Sequence, residues 1–139
     1  MEIINKKAKF DYYIESEIEA GISLVGTEIK SLRKGSCDLK DTYIRIKGKE
    51  VFIINMYIAK YEEGNIFNHD ERRERKLLLH KKEIIKLKEQ VEKDGYTLIP
   101  IKVYLKGSLA KISVGVCKGK KVYDKRESIK EKDLKRLEK

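Results

Sequence analysis

The chain has 139 residues, of which 40% are hydrophobic and 40% are charged, so it is long enough to bury one core and short for two domains. Its formal net charge of +10, from 33 Lys and Arg against 23 Asp and Glu, favours a polyanionic partner: RNA, DNA or an anionic membrane surface. The apolar runs are far shorter than the ~20 residues of a membrane-spanning helix, and the first ten residues are too charged for a secretory signal, so we expect a cytoplasmic protein without a membrane segment.

The first half of the chain predicts short strands and single helical turns. Alternating polar and apolar positions predict the strands, and a short acidic stretch that ends at Gly21 predicts a helical turn. Gly26 predicts a bend between two strands, and Lys47-Gly48-Lys49 predicts the turn of a hairpin. We therefore expect strands at residues 8–14, 22–25, 27–32, 42–46 and 51–58, and single helical turns at 15–20 and 38–41.

The second half predicts a loop, one long helix and two more strands. Residues 60–76 are charged and without period, whereas 77–93 have apolar residues at helical spacing, with a possible interruption at His80-Lys81. Residues 96–105 and 109–117 predict strands, and Pro100 places the first at an edge or at a bulge. The order predicts a mainly β fold with short helices: an OB-like antiparallel β-barrel with one longer inserted helix.

The end of the chain differs in composition from the rest. Residues 118–139 hold ten Lys and Arg against five Asp and Glu, so this sixth of the chain carries half of the net charge. Its apolar content is too low for packing by itself. We therefore expect an OB-like body at residues 1–117 and a basic tail at 118–139 that is disordered when alone.

No residue pattern in the chain indicates catalysis. The two histidines, His69 and His80, sit in no metal-ligand spacing, and no GxSxG sequence is present. The stretch GVCKGKK (115–121) fails as a phosphate-binding Walker loop, because its glycines are one residue too close and Lys121 replaces the Ser or Thr. Cys37 and Cys117 are far apart and are interpreted as idle thiols. We expect no enzyme, no cofactor and no metal.

Two features favour contact with nucleic acid. The basic cluster Arg72, Arg73, Arg75 and Lys76 is either a solvated loop beside a core segment or a phosphate-binding surface. Tyr123 is a lone aromatic residue in the charged tail, where it has no core to fill and could stack on a base.

Eight segments together carry a resemblance to one family. They are NKKA (5–8), DYYIE (11–15), EAGI (19–22), GTEIKSLRKG (26–35), LKDTYIRI (39–46), NHDERRERKLLLH (68–80), GYTLIPIKVYLK (95–106) and KGKKVYDKRESIKEKD (118–133). In this order and spacing they resemble the SsrA-binding protein (small protein B) family, and they cover essentially the whole chain.

The resemblance implies a function in ribosome rescue. Members of the family bind the tRNA-like domain of transfer-messenger RNA and deliver it to stalled ribosomes for trans-translation, without enzymatic activity. The implied partners are that RNA, the small-subunit rRNA at the decoding site and in the mRNA channel, and, indirectly through the RNA, elongation factor Tu and alanyl-tRNA synthetase. A monomer without a membrane partner is expected.

The resemblance also implies site residues. Those that match positions at or beside the RNA face are Asn5, Lys6, Glu19, Lys76 and Leu78, with Lys111 and Lys118 at basic positions of the last strand and its exit. Those that match the tail signature for the decoding site are Lys120, Lys121, Tyr123, Asp124, Lys125 and Arg126. Glu19 could accept hydrogen bonds from base amino groups or 2′-hydroxyls, or could hold a neighbouring loop.

Two other functions remain open from the residues alone. A generic OB-type module for nucleic acid, such as single strands, would show aromatic residues across one sheet face and little need of a basic tail. A nuclease would need a carboxylate cluster or an acid/base histidine pair, and neither stands out.

Overall fold

The computed structural model describes residues 2–62 and 68–120 of the chain. The elements follow in the order β1 (Glu2–Ile4), α1 (Ala8–Asp11), β2 (Tyr12–Ile22), α2 (Gly26–Arg33), β3 (Cys37–Asp38), β4 (Tyr43–Lys47), β5 (Glu50–Ile54), β6 (Tyr57–Ile58), β7 (Arg75–Leu78), α3 (Lys81–Glu92), β8 (Thr97–Lys106) and β9 (Leu109–Gly119). The predicted tail from residue 121 onward lies outside the described residues.

One antiparallel sheet of seven strands dominates the fold. Its strand order is β1-β8-β9-β2-β7-β5-β4, and β3 pairs with β6 in a second, two-stranded sheet. The inner face of the large sheet is apolar, because alternate side chains of each strand point to the same side. Its fully buried members include Val51, Ile53, Leu77, Ile112 and Val114. The predicted mainly β fold with short helices is confirmed.

The sheet curls without closing into a barrel. The end strand β4 approaches β8, but no ladder joins these two strands in the described part of the chain. Residues of β4, α3 and β8 line a cleft of about 280 Å³ at this place, so helix α3 lies at the opening between the strands. The predicted OB-like β-barrel is therefore open, and α3 covers the opening between β4 and β8.

Near the N-terminus, a helical turn lies where a strand was predicted, and a strand lies where a helical turn was predicted. Residues 8–11 form the single turn α1, whereas the acidic stretch 15–20, predicted as a helical turn, lies inside the long strand β2. Ile18, Ala20 and Ile22 face the core at a spacing of two, and Glu17 and Glu19 face outward. The period of two decides the structure, because β2 pairs with β9 over most of its length.

Residues 27–32 were predicted as a strand and lie in helix α2. The backbone N–H of Val25 donates to the Glu28 carboxylate at 3.0 Å, which satisfies one of the free donors at the start of the helix. Leu32 is fully buried and Ile29 is half-buried, which places both on the covered side of the helix. Spacing of three residues, not two, therefore governs this segment.

The segment before α3 contains a strand that the charge pattern conceals. Residues 75–78 form β7 between β2 and β5, although they were predicted as the end of a loop and the start of a helix. Helix α3 begins after His80, whose backbone N–H donates to Glu83 at 2.9 Å, so the predicted interruption at His80-Lys81 is its true start. The predicted strand 51–58 is likewise split into β5 and β6, with Asn55 at a positive φ of 67°.

Strand β8 contains a bulge at the predicted proline. The register with β9 shifts between Pro100 and Lys102, which is the bulge that Pro100 predicted as one of two alternatives. β8 lies between β1 and β9, but β1 pairs only with residues 102–104, so Pro100 lies beyond the ladder with β1. The Pro100 carbonyl accepts a hydrogen bond from the side-chain amide of Asn5 at 2.8 Å, which fixes the N-terminal segment against the bulge.

Gly115 in β9 provides a test of the packing beside this bulge. A Cβ atom at Gly115 would lie 2.5 Å from Cδ1 and 2.8 Å from Cγ1 of Ile101, and 3.0 Å from Sγ of Cys117. Gly115→Ala is therefore expected to destabilise the protein by about 1–3 kcal/mol through overpacking. Gly119→Ala in the same strand is the control, because a Cβ there meets nothing within 4 Å. Urea unfolding curves that coincide for the two variants would contradict this account of the packing.

Candidate nucleic-acid interface

The outer face of the large sheet brings four distant chain segments together. In the strand register, Gly21 of β2 lies opposite Leu78 of β7 on one side and Lys111 of β9 on the other, and Lys111 lies opposite Tyr104 of β8. Residues opposite one another in an antiparallel sheet point to the same face. The row Leu78, Gly21, Lys111 and Tyr104 therefore runs across the sheet on its outer surface, with Glu19 beside it.

A groove of about 940 Å³ lies over the part of this row formed by Leu78, Gly21 and Lys111, and against α3. It is lined by four of the residues that the sequence assigned to an RNA face: Glu19, Lys76, Leu78 and Lys111. Leu78 is 54% exposed, so it offers an apolar platform among charged neighbours. Gly21 leaves the flank of Leu78 open, because a Cβ at Gly21 would touch the Leu78 Cβ at 3.4 Å.

Glu19 is held at this groove by a hydroxyl group from two strands away. The Tyr104 hydroxyl donates a hydrogen bond to Oε2 of Glu19, and Nζ of Lys106 lies 4.0 Å from Oε1. The hydrogen bond from Tyr104 holds the pKa of Glu19 below its usual value, against partial burial and together with the charges of Lys106 and Lys111. Glu19 is therefore an ionised acceptor beside the exposed Lys106 and the half-buried Lys111.

Asn5 and Lys6 lie in a different cleft, of about 480 Å³, between the N-terminal segment and the loop before β4. The backbone N–H of Asn5 donates to the Ile101 carbonyl at 2.8 Å, in addition to the side-chain bond to Pro100. Asn5 thus ties the N-terminal segment to β8, while the neighbouring Lys6 is exposed. The structure does not bring these two residues to the groove of Glu19.

Lys118 and Lys120 occupy a third place, at the end of β9. The Lys118 ammonium lies 4.8 Å from the ring centroid of Tyr96, and the Lys120 ammonium lies 5.0 Å from that of Tyr13. Such contacts hold a cation over an aromatic face while leaving it near solvent. The other tail residues assigned to the decoding site lie outside the described residues; they are Lys121, Tyr123, Asp124, Lys125 and Arg126.

The basic cluster at 72–76 does not form one phosphate-binding surface, and the solvated-loop interpretation holds for Arg72 but not for Arg75. Arg75 points into the core, is fully buried and forms an ion pair with the fully buried Glu28. Arg73 approaches the other Glu28 oxygen at 2.6 Å, and Arg72 donates to the Asn55 carbonyl at 3.1 Å. Of the four residues, Lys76 alone lines the groove, because its side chain alternates with that of Arg75 along β7.

The Glu28 cluster fixes β7 relative to α2. Burial acts to raise the pKa of Glu28, but hydrogen bonds from Arg73, the Val25 backbone and Arg75 outweigh it and hold that pKa below its usual value. The Arg75 guanidinium also donates to the Met56 carbonyl at 2.6 Å. Glu28 and Arg75 therefore join three parts of the chain: helix α2, the segment just before β6, and strand β7. Strand β7 also carries Lys76 and Leu78.

His69 and the two cysteines are held in the fold by burial and local contacts. His69 is buried, with Nε2 2.9 Å from the Ile58 carbonyl and Nδ1 2.9 Å from the Thr27 hydroxyl. Because a carbonyl only accepts, Nε2 donates to it, and in the neutral ring Nδ1 is the acceptor for the Thr27 hydroxyl. Burial raises the pKa of the Cys37 thiol to about 12 and that of Cys117 to about 11, so both are uncharged thiols at neutral pH.

Within residues 2–62 and 68–120, no group of three or more His, Cys, Asp or Glu side chains is arranged to hold a metal ion. No helix in these two ranges has both the length and the apolar character needed to cross a membrane.

The comparison with known proteins decides the family. Residues 2–139 match the SmpB protein family. The chain belongs to the SmpB protein family. The family resemblance of the eight sequence segments is thereby confirmed.

Individual relatives agree with this membership of the SmpB family. An SsrA-binding protein of Staphylococcus haemolyticus is 61% identical over 132 residues, which cover 95% of this chain and 85% of that protein. An SsrA-binding protein of Staphylococcus aureus strain Newman is 58% identical over 132 residues, covering 95% of this chain and 86% of that protein. A chain of the solved structure "tmRNA-SmpB: a journey to the center of the bacterial ribosome" is 43% identical, with a TM-score of 0.74, and the match covers 92% of this chain and 94% of that one.

Two residues that contact Glu19 beside the groove of this SmpB-family chain, Tyr104 and Lys106, were not predicted from sequence. Tyr104 and Lys106 alternate along the predicted strand 96–105 and its end, so the period of two could have placed them on one face. Their partner Glu19 is 85 residues from Tyr104 along the chain. The missing information was the strand order, which sets β8 two strands from β2.

Proposed function

We propose that this chain binds the tRNA-like domain of transfer-messenger RNA and delivers it to stalled ribosomes for trans-translation, in which the ribosome is rescued and the incomplete peptide is tagged. The observation that carries the proposal is the 43% identical likeness, over 92% of the chain, to a chain of a tmRNA–SmpB structure of the bacterial ribosome. The family, the net charge of +10 and the groove support it. The proposed place of action is the bacterial cytoplasm, and the proposed function includes no catalytic step.

The groove fits RNA better than a duplex of DNA. Its ionised Glu19 can accept hydrogen bonds from base amino groups or 2′-hydroxyls, groups that unpaired or looped RNA presents. Lys76 and Lys111 flank it and can neutralise phosphates, and the exposed Leu78 can pack against a base or sugar. We assign these four residues to the RNA contact in the groove, and we assign Asn5, Lys6 and Lys118, which lie outside the groove, to separate contacts with the same RNA.

The tail is proposed to act at the ribosome. By the family resemblance, Lys120, Lys121 and residues 123–126 engage the decoding site and the rest of 118–139 follows the mRNA channel, whose rRNA is a polyanion. Elongation factor Tu and alanyl-tRNA synthetase would be met indirectly, through the RNA.

The direct test of this function is to recover the full chain from bacterial cells with its bound RNA and to sequence that RNA. Transfer-messenger RNA is expected to be the most enriched species relative to its abundance in total RNA. Enrichment of unrelated RNAs without transfer-messenger RNA would overturn the proposal.

The salt dependence of RNA binding tests the role of Lys111. Each phosphate that a side chain neutralises releases counterions and contributes about 0.7–0.9 to the slope of log affinity against log salt concentration. Lys111→Ala is therefore expected to weaken RNA binding and to reduce this slope by about 1. Lys93→Ala, at the exposed end of α3 and outside the groove, is the matched control. Equal slopes for wild type and Lys111→Ala, measured from 50 to 300 mM salt, would exclude a phosphate contact of Lys111.

A further inference from the structure

The contact between Tyr104 and Glu19 spans three strands. Tyr104 lies on β8 and Glu19 on β2, and β9 separates them. Their partners on β9 are Lys111 and Ser113, so the tyrosine side chain crosses β9 diagonally to reach the carboxylate. An aromatic side chain is long enough for such a diagonal contact, whereas the direct neighbour Ser113 donates instead to Glu17, at 2.9 Å.

The hydroxyl group limits the freedom of an exposed carboxylate. The Glu19 side chain is 43% exposed and Lys106 is 71% exposed, so their 4.0 Å ion pair is weak and mobile in water. Tyr104 is half-buried, and Lys102 lies over its ring at 5.5 Å. A tyrosine has few rotatable bonds, so the ring can hold the flexible glutamate at little cost in its own conformational entropy.

The hydroxyl remains a donor throughout the physiological range. Partial burial of the ring and the neighbouring Glu19 carboxylate raise the pKa of Tyr104 to about 12. The negative charge of Glu2, a residue of β1, also acts to raise this pKa. A protonated phenol beside an ionised carboxylate can only donate to it. The carboxylate is thus bound through Oε2, while Oε1 points toward the exposed Lys106.

On the basis of the proposed function, we propose that Tyr104 is a positioning residue for RNA recognition: its hydroxyl fixes Glu19 through Oε2, so that Oε1 is presented to a base amino group or a 2′-hydroxyl of the RNA. Because the acceptor is oriented before binding, less side-chain entropy is lost on association. Lys106 and Lys111 offset the repulsion between the carboxylate and the RNA phosphates. The tyrosine thereby adds specificity to a face whose lysines alone would bind any polyanion.

The test removes the hydroxyl group and leaves the ring. Tyr104→Phe is expected to weaken binding of the tRNA-like domain about three- to tenfold, the effect of one lost orienting hydrogen bond. In a Glu19→Ala background the same change is expected to have less than about a twofold effect, because there is no carboxylate left to orient. Tyr43→Phe is the matched control: it removes the same atom from a tyrosine of β4, which lies three strands away from β2 and Glu19 in the sheet.

A second readout separates positioning from a general structural role. Since the Tyr104 hydrogen bond lowers the pKa of Glu19, Tyr104→Phe is expected to raise the midpoint of the Glu19 carboxyl titration measured by NMR, and Tyr43→Phe to leave it unchanged. Tyr104→Phe with wild-type affinity and an unchanged Glu19 midpoint would overturn the positioning role. Weakening of equal size in the wild-type and Glu19→Ala backgrounds would also overturn it. A wild-type protein that does not bind the tRNA-like domain would instead refute the proposed function.

Discussion

Glu28→Ala is expected to destabilise the protein by about 3–5 kcal/mol, because it leaves the fully buried guanidinium of Arg75 without its counter-charge. The change also removes the acceptor of Arg73 and of the Val25 backbone N–H at the start of α2. A loss of this size is a large part of the total stability of a small domain. It is measured as a lower midpoint in urea unfolding at constant slope.

Glu74→Ala is the matched control for this prediction. Glu74 forms an ion pair with Lys47 at 2.8 Å, but both side chains are more than 40% exposed, so the pair is worth at most about 1 kcal/mol. If Glu28→Ala does not fold, Glu28→Gln, which keeps the size of the side chain and loses its charge, is compared with Glu74→Gln by thermal unfolding. A stability loss no larger than that of the Glu74 variant would contradict the role of the buried cluster.

The same cluster gives the protein an acid-sensitive contact. The pKa of Glu28 in the folded protein is below its usual value, so the unfolded chain binds a proton to this group first as the pH falls. The contribution of Glu28 is therefore fully present above about pH 4.5 and is lost as the pH falls through the lower folded pKa. Glu28→Gln lacks this dependence, so its stability relative to wild type is expected to recover toward low pH.

Removal of residues 121–139 is expected to abolish peptide tagging on stalled ribosomes while leaving a folded, RNA-binding protein. The described body is closed before this point: β9 pairs with β2 up to Gly119, and the Lys120 N–H donates to the Asp11 carbonyl at 2.8 Å. The removed segment holds eight Lys and Arg against five Asp and Glu, a net charge of +3. The truncation therefore removes a basic segment that is proposed to contact rRNA, and it removes no residue of the described core.

Two measurements on the truncated protein and one on variants of the full chain check this division. Its melting temperature is expected within about 4 °C of the full chain, and its affinity for the tRNA-like domain within about tenfold. In the full chain, Tyr123→Ala is expected to impair tagging more than Lys139→Ala, because one ring is proposed to stack at the decoding site. Normal tagging by the truncated protein would contradict the division of labour, and a truncated protein that fails to fold would show that the tail belongs to the core.

Local periodicity predicted those parts of the fold in which the local pattern is unambiguous. β8, β9 and the hairpin of β4 and β5 follow from alternation and glycine turns, and the longer part of α3 follows from helical spacing. The acidic stretch of β2 misled, because three glutamates in five residues favour a helical turn unless the alternation Ile18, Ala20, Ile22 is given more weight. Pairing with β9 stabilises residues 15–20 as a strand, and that pairing joins residues about 100 positions apart, so local sequence does not show it.

The candidate site shows the same limit. The family resemblance selected Glu19, Lys76, Leu78 and Lys111, and the groove unites these four, but sequence alone could not separate them from Asn5, Lys6 and Lys118 in other places. Arg75 could not be distinguished from its basic neighbours, because the charge of a residue does not show whether its side chain faces the core or the solvent. Its burial depends on Glu28, which is 47 residues away and was itself predicted in a strand.

The most direct test of selective RNA binding compares the affinities of the full chain for the tRNA-like domain of transfer-messenger RNA, an ordinary tRNA and oligo(dT) at one fixed salt concentration. A charged surface alone would bind all three according to their phosphates. We expect the tRNA-like domain to bind at least about tenfold tighter than either competitor, a difference of ~1.4 kcal/mol. Equal affinity for the three, or tighter binding of oligo(dT), would contradict it and would identify a general single-strand binder.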